Sequence, residues 1–183
     1  MKKYIIAFTV LATVACKNNR EPEIKQAPSQ VQKVDTAPQD LNKTDSKEQV
    51  SFENEAFTKV YTAYLDLKAA LVNTDVSTSK NALDAFLKTV ENNDSFSNIM
   101  TATMPVIQES EVAEIRKGFE NITAAVEAQI AQETITSGTI FKQYCPMAFD
   151  GKGAYWLSDS KEVRNPYFGD KMLKCGVVDK EIN

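Results

Sequence analysis

Histidine is absent from this chain of 183 residues. Without histidine, Ser-His-Asp and Cys-His catalysis are excluded, as are zinc sites that use imidazole. The acidic residues occur singly rather than as a paired general acid and base. No glycine-rich phosphate-binding loop is present either, since Gly151-Lys152-Gly153 is typical of a turn. The sequence therefore predicts a protein that is not an enzyme.

No long basic run is present, and the formal net charge of the chain is −4. Nucleic acids and anionic lipid surfaces are bound through clustered lysine and arginine. Neither nucleic acid nor an electrostatically held membrane surface is therefore an expected partner.

Long apolar runs are also missing, because the one at the start is shorter than the about 20 residues that span a bilayer. It follows Lys2 and Lys3 and ends in small residues, which is typical of a signal peptide over residues 1–15. Thr13-Val14-Ala15-Cys16 then resembles a lipobox, where signal peptidase II cuts before a cysteine that is acylated. We expect an exported protein anchored to the cell envelope, at the outer membrane or the periplasmic face, by lipid on Cys16 alone. The alternative is an ordinary cleaved signal with Cys16 as a spare thiol.

Aromatic residues are absent from residues 17–50, which hold three of the six prolines. Such a stretch buries too little apolar area to offset its ordering entropy. We therefore expect a disordered tether over residues 16–50, including the lipidated cysteine, and one folded domain over residues 51–183.

Glycine is absent before Gly118, and apolar residues there recur at steps of three and four. This period predicts amphipathic helices that pack as a bundle. We expect a mainly α fold with three to four helices, the fourth being a short one interrupted at Pro105. Ser110 is expected to cap the last helix. The apolar faces of the three long helices are Phe57, Val60, Tyr61, Tyr64, Leu67 and Leu71; Ala82, Leu83, Phe86, Leu87 and Val90; and Val112, Ile115, Phe119, Ile122, Val126 and Ile130.

The composition changes near residue 138, where glycine becomes frequent and seven of the 16 aromatic residues follow. Glycine permits tight turns and aromatic side chains provide burial. We expect an irregular, aromatic-rich C-terminal loop module over residues 137–180.

Two of the three cysteines lie in this module, and each has a methionine close by: Cys145 with Met147, and Cys175 with Met172. Thiolate and thioether sulfurs are soft donors that select Cu(I) or a similar ion such as Ag(I). If the two segments meet, these four residues predict one soft-metal site. Two alternatives remain open. The cysteines of an exported protein often form a disulfide, worth about 3 kcal/mol for a loop of this length. Redox exchange would require a low thiol pKa.

The stretch from Phe141 to Val177 resembles the C-terminal signature of a domain-of-unknown-function family. The matching motifs are Tyr144-Cys145-Pro146-Met147, Ala154-Tyr155-Trp156-Leu157-Ser158, Arg164-Asn165-Pro166-Tyr167-Phe168-Gly169 and Met172-Leu173-Lys174-Cys175-Gly176. That family occurs in exported lipoproteins and is appended to periplasmic adaptor subunits of copper/silver efflux pumps. The resemblance implies a helical bundle whose C-terminal module presents Cys145, Met147, Met172 and Cys175 to the metal.

Residues next to these sulfurs are expected to form a supporting shell: Tyr144, Tyr155, Trp156, Arg164, Asn165 and Tyr167. Tyr155, Trp156 and Tyr167 are expected to pack around the sulfurs, and the segment from Arg164 to Phe168 to form a turn that sets the second sulfur pair. The predicted function is soft-metal binding in heavy-metal efflux or homeostasis, with the adaptor subunit of such a pump as a partner. The alternative function is a structural or interaction lipoprotein with a Cys145–Cys175 disulfide, which docks on an envelope protein.

Overall fold

The computed structural model describes residues 39–183. The predicted signal peptide, Cys16 and residues 17–38 of the predicted tether lie outside the described residues. None of the described helices is both long and apolar enough to cross a bilayer.

Four helices form the first part of the domain: α1 (Glu55–Val72), α2 (Val76–Val90), α3 (Ser97–Thr103) and α4 (Val112–Ile130). The predicted apolar faces lie within α1, α2 and α4 and are mostly buried. Short 3-10 turns flank α3, and the second one contains Pro105, as expected for a residue that ends an α-helix.

Side chains at the helix starts satisfy backbone N–H groups that have no partner within the helix. Asn54 Oδ1 accepts hydrogen bonds from the N–H groups of Ala56 and Phe57, at the start of α1. Asp75 does the same for Thr78 in α2. The prediction that Ser110 caps α4 was wrong, because the capping position is one residue later and makes no side-chain bond there.

Aromatic side chains join the helices to the rest of the domain. The rings of Tyr64 in α1 and Phe119 in α4 are stacked with centroids 5.1 Å apart. The Tyr64 hydroxyl contacts Thr123 Oγ1 at 2.9 Å and accepts a hydrogen bond from the N–H of Leu157, outside the helical part. Full burial of an aromatic side chain of this kind stabilises a fold by about 2–3 kcal/mol. The helical part and the C-terminal module therefore share one core.

The C-terminal module contains a sheet that we did not expect. Strands β3 (Ile140–Cys145), β4 (Ala154–Ser158) and β5 (Val177–Ile182) form an antiparallel sheet in the order β4-β3-β5. The residues between β4 and β5 form the irregular part that we did expect. Two further strands, β1 (Ser51–Phe52) and β2 (Ile135–Ser137), pair with each other. Helices still supply most of the regular structure, so the mainly α prediction is confirmed in part.

The N-terminal end of the described chain also differs from the predicted tether. Residues 39–50, which we call the strap, lie against the domain. The N–H of Leu41 donates to Asn73 Oδ1 at 2.8 Å, and that of Glu48 donates to the Asp159 carbonyl at 2.7 Å. Val50 at its end is buried in the core, but the rest of the segment is held mainly by polar partners, which its low apolar content did not predict.

Candidate functional site

Strand pairing brings the two cysteines together. Cys145 ends β3, and Cys175 lies two residues before β5 begins. In the antiparallel register Tyr144 stands opposite Val177, so the end of β3 meets the residues that enter β5. The Sγ atoms of Cys145 and Cys175 lie 2.8 Å apart. Cys145 is fully buried and Cys175 is partly exposed. Cys175 is thus the thiol that solvent can reach.

Asn165 organises the long loop between β4 and β5, residues 159–176, which carries Cys175. It is fully buried, and its Nδ2 donates to the Cys175 carbonyl at 2.7 Å. Its Oδ1 accepts hydrogen bonds from the N–H groups of Tyr167 and Phe168, and its own N–H donates to the Leu173 carbonyl. The side chain and backbone of Asn165 therefore hold together the two parts of this loop, near residues 165–168 and near residues 173–175.

The turn that follows Cys145 is held in an unusual backbone conformation. Phe149, Asp150 and Gly151 have φ angles of 51°, 58° and 85°. The left-handed region costs a residue with a Cβ atom roughly 1–2 kcal/mol. The Phe149 ring packs edge-on against Tyr167 with centroids 5.2 Å apart, and this contact helps to offset that cost.

The two thiols alter each other's chemistry. The pKa of Cys175 is raised to about 11, chiefly because its thiol is hydrogen-bonded to Cys145, and further by burial and by the charge of Cys145. The backbone N–H of Met147 acts in the opposite direction, since it donates to the Cys175 sulfur. At neutral pH Cys175 is therefore a protonated thiol, which makes it a poor nucleophile for thiol–disulfide exchange.

The two methionines lie on the same segments as the thiols, and Met147 is exposed whereas Met172 is partly buried, as Cys175 is. The Met147 side chain is 55 % exposed. It lines a surface cavity of about 330 Å³ together with Arg116, Phe149 and Phe168. Met172 ends a 3-10 turn, and its carbonyl accepts a hydrogen bond from the N–H of Cys175. Within residues 39–183, no three His, Cys, Asp or Glu side chains are grouped to hold a metal ion. A metal at the thiols would therefore depend on thioether ligands.

The predicted supporting shell divides between the two faces of the sheet. Cys145 and Ala154 are cross-strand partners on one face, and side chains alternate along a strand. Tyr144 and Tyr155 therefore lie on the opposite face, where their rings are 4.6 Å apart and Lys142 Nζ lies 4.3 Å from the Tyr155 ring centroid. The expectation that Tyr155 packs around the sulfurs was wrong.

The remaining members of the shell behave differently from one another. Trp156 is fully buried beside Gly176, where an added Cβ atom would lie 2.7 Å from its ring. Tyr167 packs edge-on against Trp156 and donates a hydrogen bond to the Tyr155 carbonyl. Arg164 turns away from the sulfurs and donates from Nε and Nη2 to the Lys43 carbonyl in the strap.

Sequence reasoning missed Gln143, which is fully buried on the same face of the sheet as Cys145. Its Nε2 donates to the carbonyls of Ser160 and Lys161, at 3.0 and 3.3 Å. Gln143 thus joins β3 to the loop that leads to Asn165. The signal available in the sequence was a polar residue, Gln143, within a largely apolar and aromatic stretch, which could have indicated a buried polar side chain.

Comparison with known proteins gives one family match. No curated protein and no solved structure matches the chain. The family match covers residues 60–138, which run from α1 to β2 and end before Cys145, so the sulfur-bearing segments lie outside it. Over residues 60–138, the chain is similar to the family described as "Protein of unknown function (DUF3347)", which supports the predicted resemblance to a domain-of-unknown-function family.

Proposed function

We propose that this chain is a lipid-anchored binding protein of the cell envelope that takes up a soft metal ion, Cu(I) or Ag(I), at Cys145 and Cys175. The observation that carries the proposal is the meeting of these two thiols, 2.8 Å apart, on segments that each contain a methionine. Met147 and Met172 complete the proposed ligand set. The proposal assigns no catalytic residue.

The spacing of the thiols fits an ion after a small adjustment. Two sulfurs that bind one tetrahedral ion at about 2.3 Å lie about 3.8 Å apart, so the present pair would separate by about 1 Å. Cys145 is fixed by its buried position at the end of β3. Cys175, partly exposed in the stretch before β5, is therefore the ligand that would move.

The ligand chemistry favours Cu(I) and Ag(I) over zinc. Soft thioether sulfurs suit these ions, whereas structural zinc sites use four thiolate or imidazole ligands. A thioether carries no proton, but both thiols must lose theirs. Because the pKa of Cys175 is about 11, release of its proton alone should raise the apparent affinity by about tenfold per pH unit, up to that pKa.

The proposed location and partner rest on the sequence. Lys2, Lys3 and the short apolar run support export, and the lipobox-like Thr13-Val14-Ala15-Cys16 supports lipid attachment. The resemblance of the C-terminal motifs supports a role in heavy-metal efflux or homeostasis. In that role the domain would hand its ion to the periplasmic adaptor subunit of an efflux pump, or intercept free ion near the membrane.

The proposal is tested by titrating the reduced mature protein with Cu(I) against a competing chelator. We expect one ion per chain with submicromolar affinity, weakened by at least about tenfold in Cys145→Ser and measurably in Met172→Leu. Met104→Leu is the matched control, because Met104 is 53 % exposed and lies outside both sulfur-bearing segments. Micromolar or weaker affinity in the wild type, or wild-type affinity in both site variants, contradicts the proposal.

A second candidate function is a structural or interaction lipoprotein with a Cys145–Cys175 disulfide, which docks on an envelope protein. The same 2.8 Å separation favours it, since the sulfurs need to approach by less than about 1 Å to reach bonding distance. Counting free thiols in protein purified without reductant separates the two functions. A complete disulfide leaves neither thiol free, and the metal-binding form leaves both.

A further inference from the structure

The strap is fastened to the loop that follows β4. Arg164 donates from Nε and Nη2 to the Lys43 carbonyl, at 3.0 and 2.8 Å. In the other direction, Glu162 Oε1 accepts a hydrogen bond from the N–H of Asp45 at 2.7 Å, and Arg164 Nη2 holds Glu162 Oε2 at 3.1 Å. The Arg164 side chain is mostly buried, with 14 % of its surface exposed. The side chains of Glu162 and Arg164 therefore hydrogen-bond to the backbone of the strap.

The next residue in the chain is the one that positions Cys175. Asn165 holds the Cys175 carbonyl through Nδ2 and the Leu173 carbonyl through its backbone N–H. From α4, Arg116 Nε donates to the Pro166 carbonyl. The segment from Arg164 to Pro166 is thus held by the strap at Arg164 and by α4 at Pro166.

From this continuous set of contacts we infer that Arg164 is a positioning residue for Cys175. It couples the docked strap to the thiol pair through the peptide bond that it shares with Asn165. When the strap is docked, Asn165 stays in place and keeps Cys175 against Cys145. When the strap is released, Asn165 gains freedom and Cys175 becomes more accessible.

This coupling gives the strap a role in the proposed function, on which its consequence for metal binding rests. Residues 39–50 adjoin the segment that leads to the proposed lipid anchor. A binding partner, or tension along the chain, that detaches the strap would release Cys175, one ligand of the proposed site, and leave Cys145 buried at the end of β3. The coupling itself is a property of the thiols and can be measured without any metal.

The test compares Arg164→Gln and Arg164→Lys with the wild type in the full mature chain under reducing conditions. Amide hydrogen exchange at Leu41, Asp45 and Glu48 reports whether the strap is docked. The rate at which iodoacetamide alkylates Cys175, read by mass spectrometry at several pH values, reports on the thiol. Lys161→Gln is the control, because Lys161 pairs with Glu181 on the surface and is 70 % exposed.

In Arg164→Gln we expect both strap exchange and Cys175 alkylation to become faster, by about fivefold or more, the factor for one lost net hydrogen bond. Arg164→Lys retains one donor and should recover part of each effect. If strap exchange accelerates while Cys175 alkylation and its pH profile stay at wild-type values, the coupling does not exist. If strap exchange is unchanged in Arg164→Gln, Arg164 does not hold the strap and the inference also fails. Either result leaves the Cu(I) titration to decide the proposed function separately.

Discussion

Lys68 in α1 gives the domain an unusual dependence of stability on pH. Its side chain is 3 % exposed, with one hydrogen bond, to Ser158 Oγ at 3.2 Å, and Asp159 Oδ1 at 3.9 Å. The pKa of Lys68 is lowered from 10.5 to about 8, chiefly by burial, an effect that Asp159 only partly opposes. The charges of Lys47 and Arg164 contribute smaller parts of the same decrease.

The direction of the pH effect follows from the proton count. Between pH 8 and 10.5 the unfolded chain keeps a proton on Lys68 that the folded chain has lost, so the free energy of unfolding rises with pH. From pH 7 to pH 9 this group alone should add about 1.3 kcal/mol. Cys175 acts in the opposite direction, because its pKa is raised from 9.0 to about 11. Its stabilising contribution begins to fall as pH rises through 9 and is lost as pH rises through 11.

Urea unfolding at pH 7, 8 and 9 tests this reasoning in wild type and in Lys68→Met, which keeps the volume of the side chain and removes the charge. We expect the free energy of unfolding of Lys68→Met minus that of wild type to fall by about 1.3 kcal/mol as pH rises from 7 to 9, because only the wild type gains stability from Lys68 over this range. A constant difference across this range would show that Lys68 is charged in the folded protein up to its ordinary pKa, and would refute the argument from burial.

Three further substitutions test the geometry of the C-terminal module. Asn165→Ala leaves three backbone groups without their partner and should lower the free energy of unfolding by about 2–4 kcal/mol and speed alkylation of Cys175, measured by urea unfolding and mass spectrometry. Gly176→Ala places a Cβ atom 2.7 Å from the Trp156 ring and should cost about 1–3 kcal/mol, and an unchanged urea midpoint would contradict this close contact. Asp150→Gly relieves a left-handed φ of 58° and should raise the stability by about 0.5–1 kcal/mol, whereas a decrease would mean that the Asp150 side chain makes a stabilising contact.

Residue periodicity was sufficient to predict the helices and insufficient to predict the sheet. The apolar residues from Val112 to Ile130 recur with the helical period, and α4 spans the same residues. Strand β4 has no comparable signal. Trp156, Leu157 and Ser158 are consecutive and all buried, so the strand lacks the regular alternation of buried and exposed residues by which a strand is predicted from sequence. Glycine and aromatic residues around it are typical of loops as well as of strand ends.

The candidate site was predictable in its residues and not in its geometry. Sulfur content alone singles out Cys145 and Cys175, but their meeting depends on the register that sets Tyr144 opposite Val177. The faces of Tyr155 and Trp156 depend on the alternation of a strand that the sequence did not reveal. The strap was missed because most of its contacts are hydrogen bonds made by its own backbone groups, such as that from Arg164 to the Lys43 carbonyl, which no residue pattern encodes.

X-ray absorption at the copper edge of the Cu(I)-loaded, reduced protein tests the central claim most directly, because it reports which atoms surround the ion. We expect one copper per chain with a shell made only of sulfur at about 2.3 Å. That shell should lose sulfur in Cys145→Ser and stay unchanged in Met104→Leu. A shell of nitrogen and oxygen atoms, or an identical spectrum from Cys145→Ser, would contradict a soft-metal site at these two thiols.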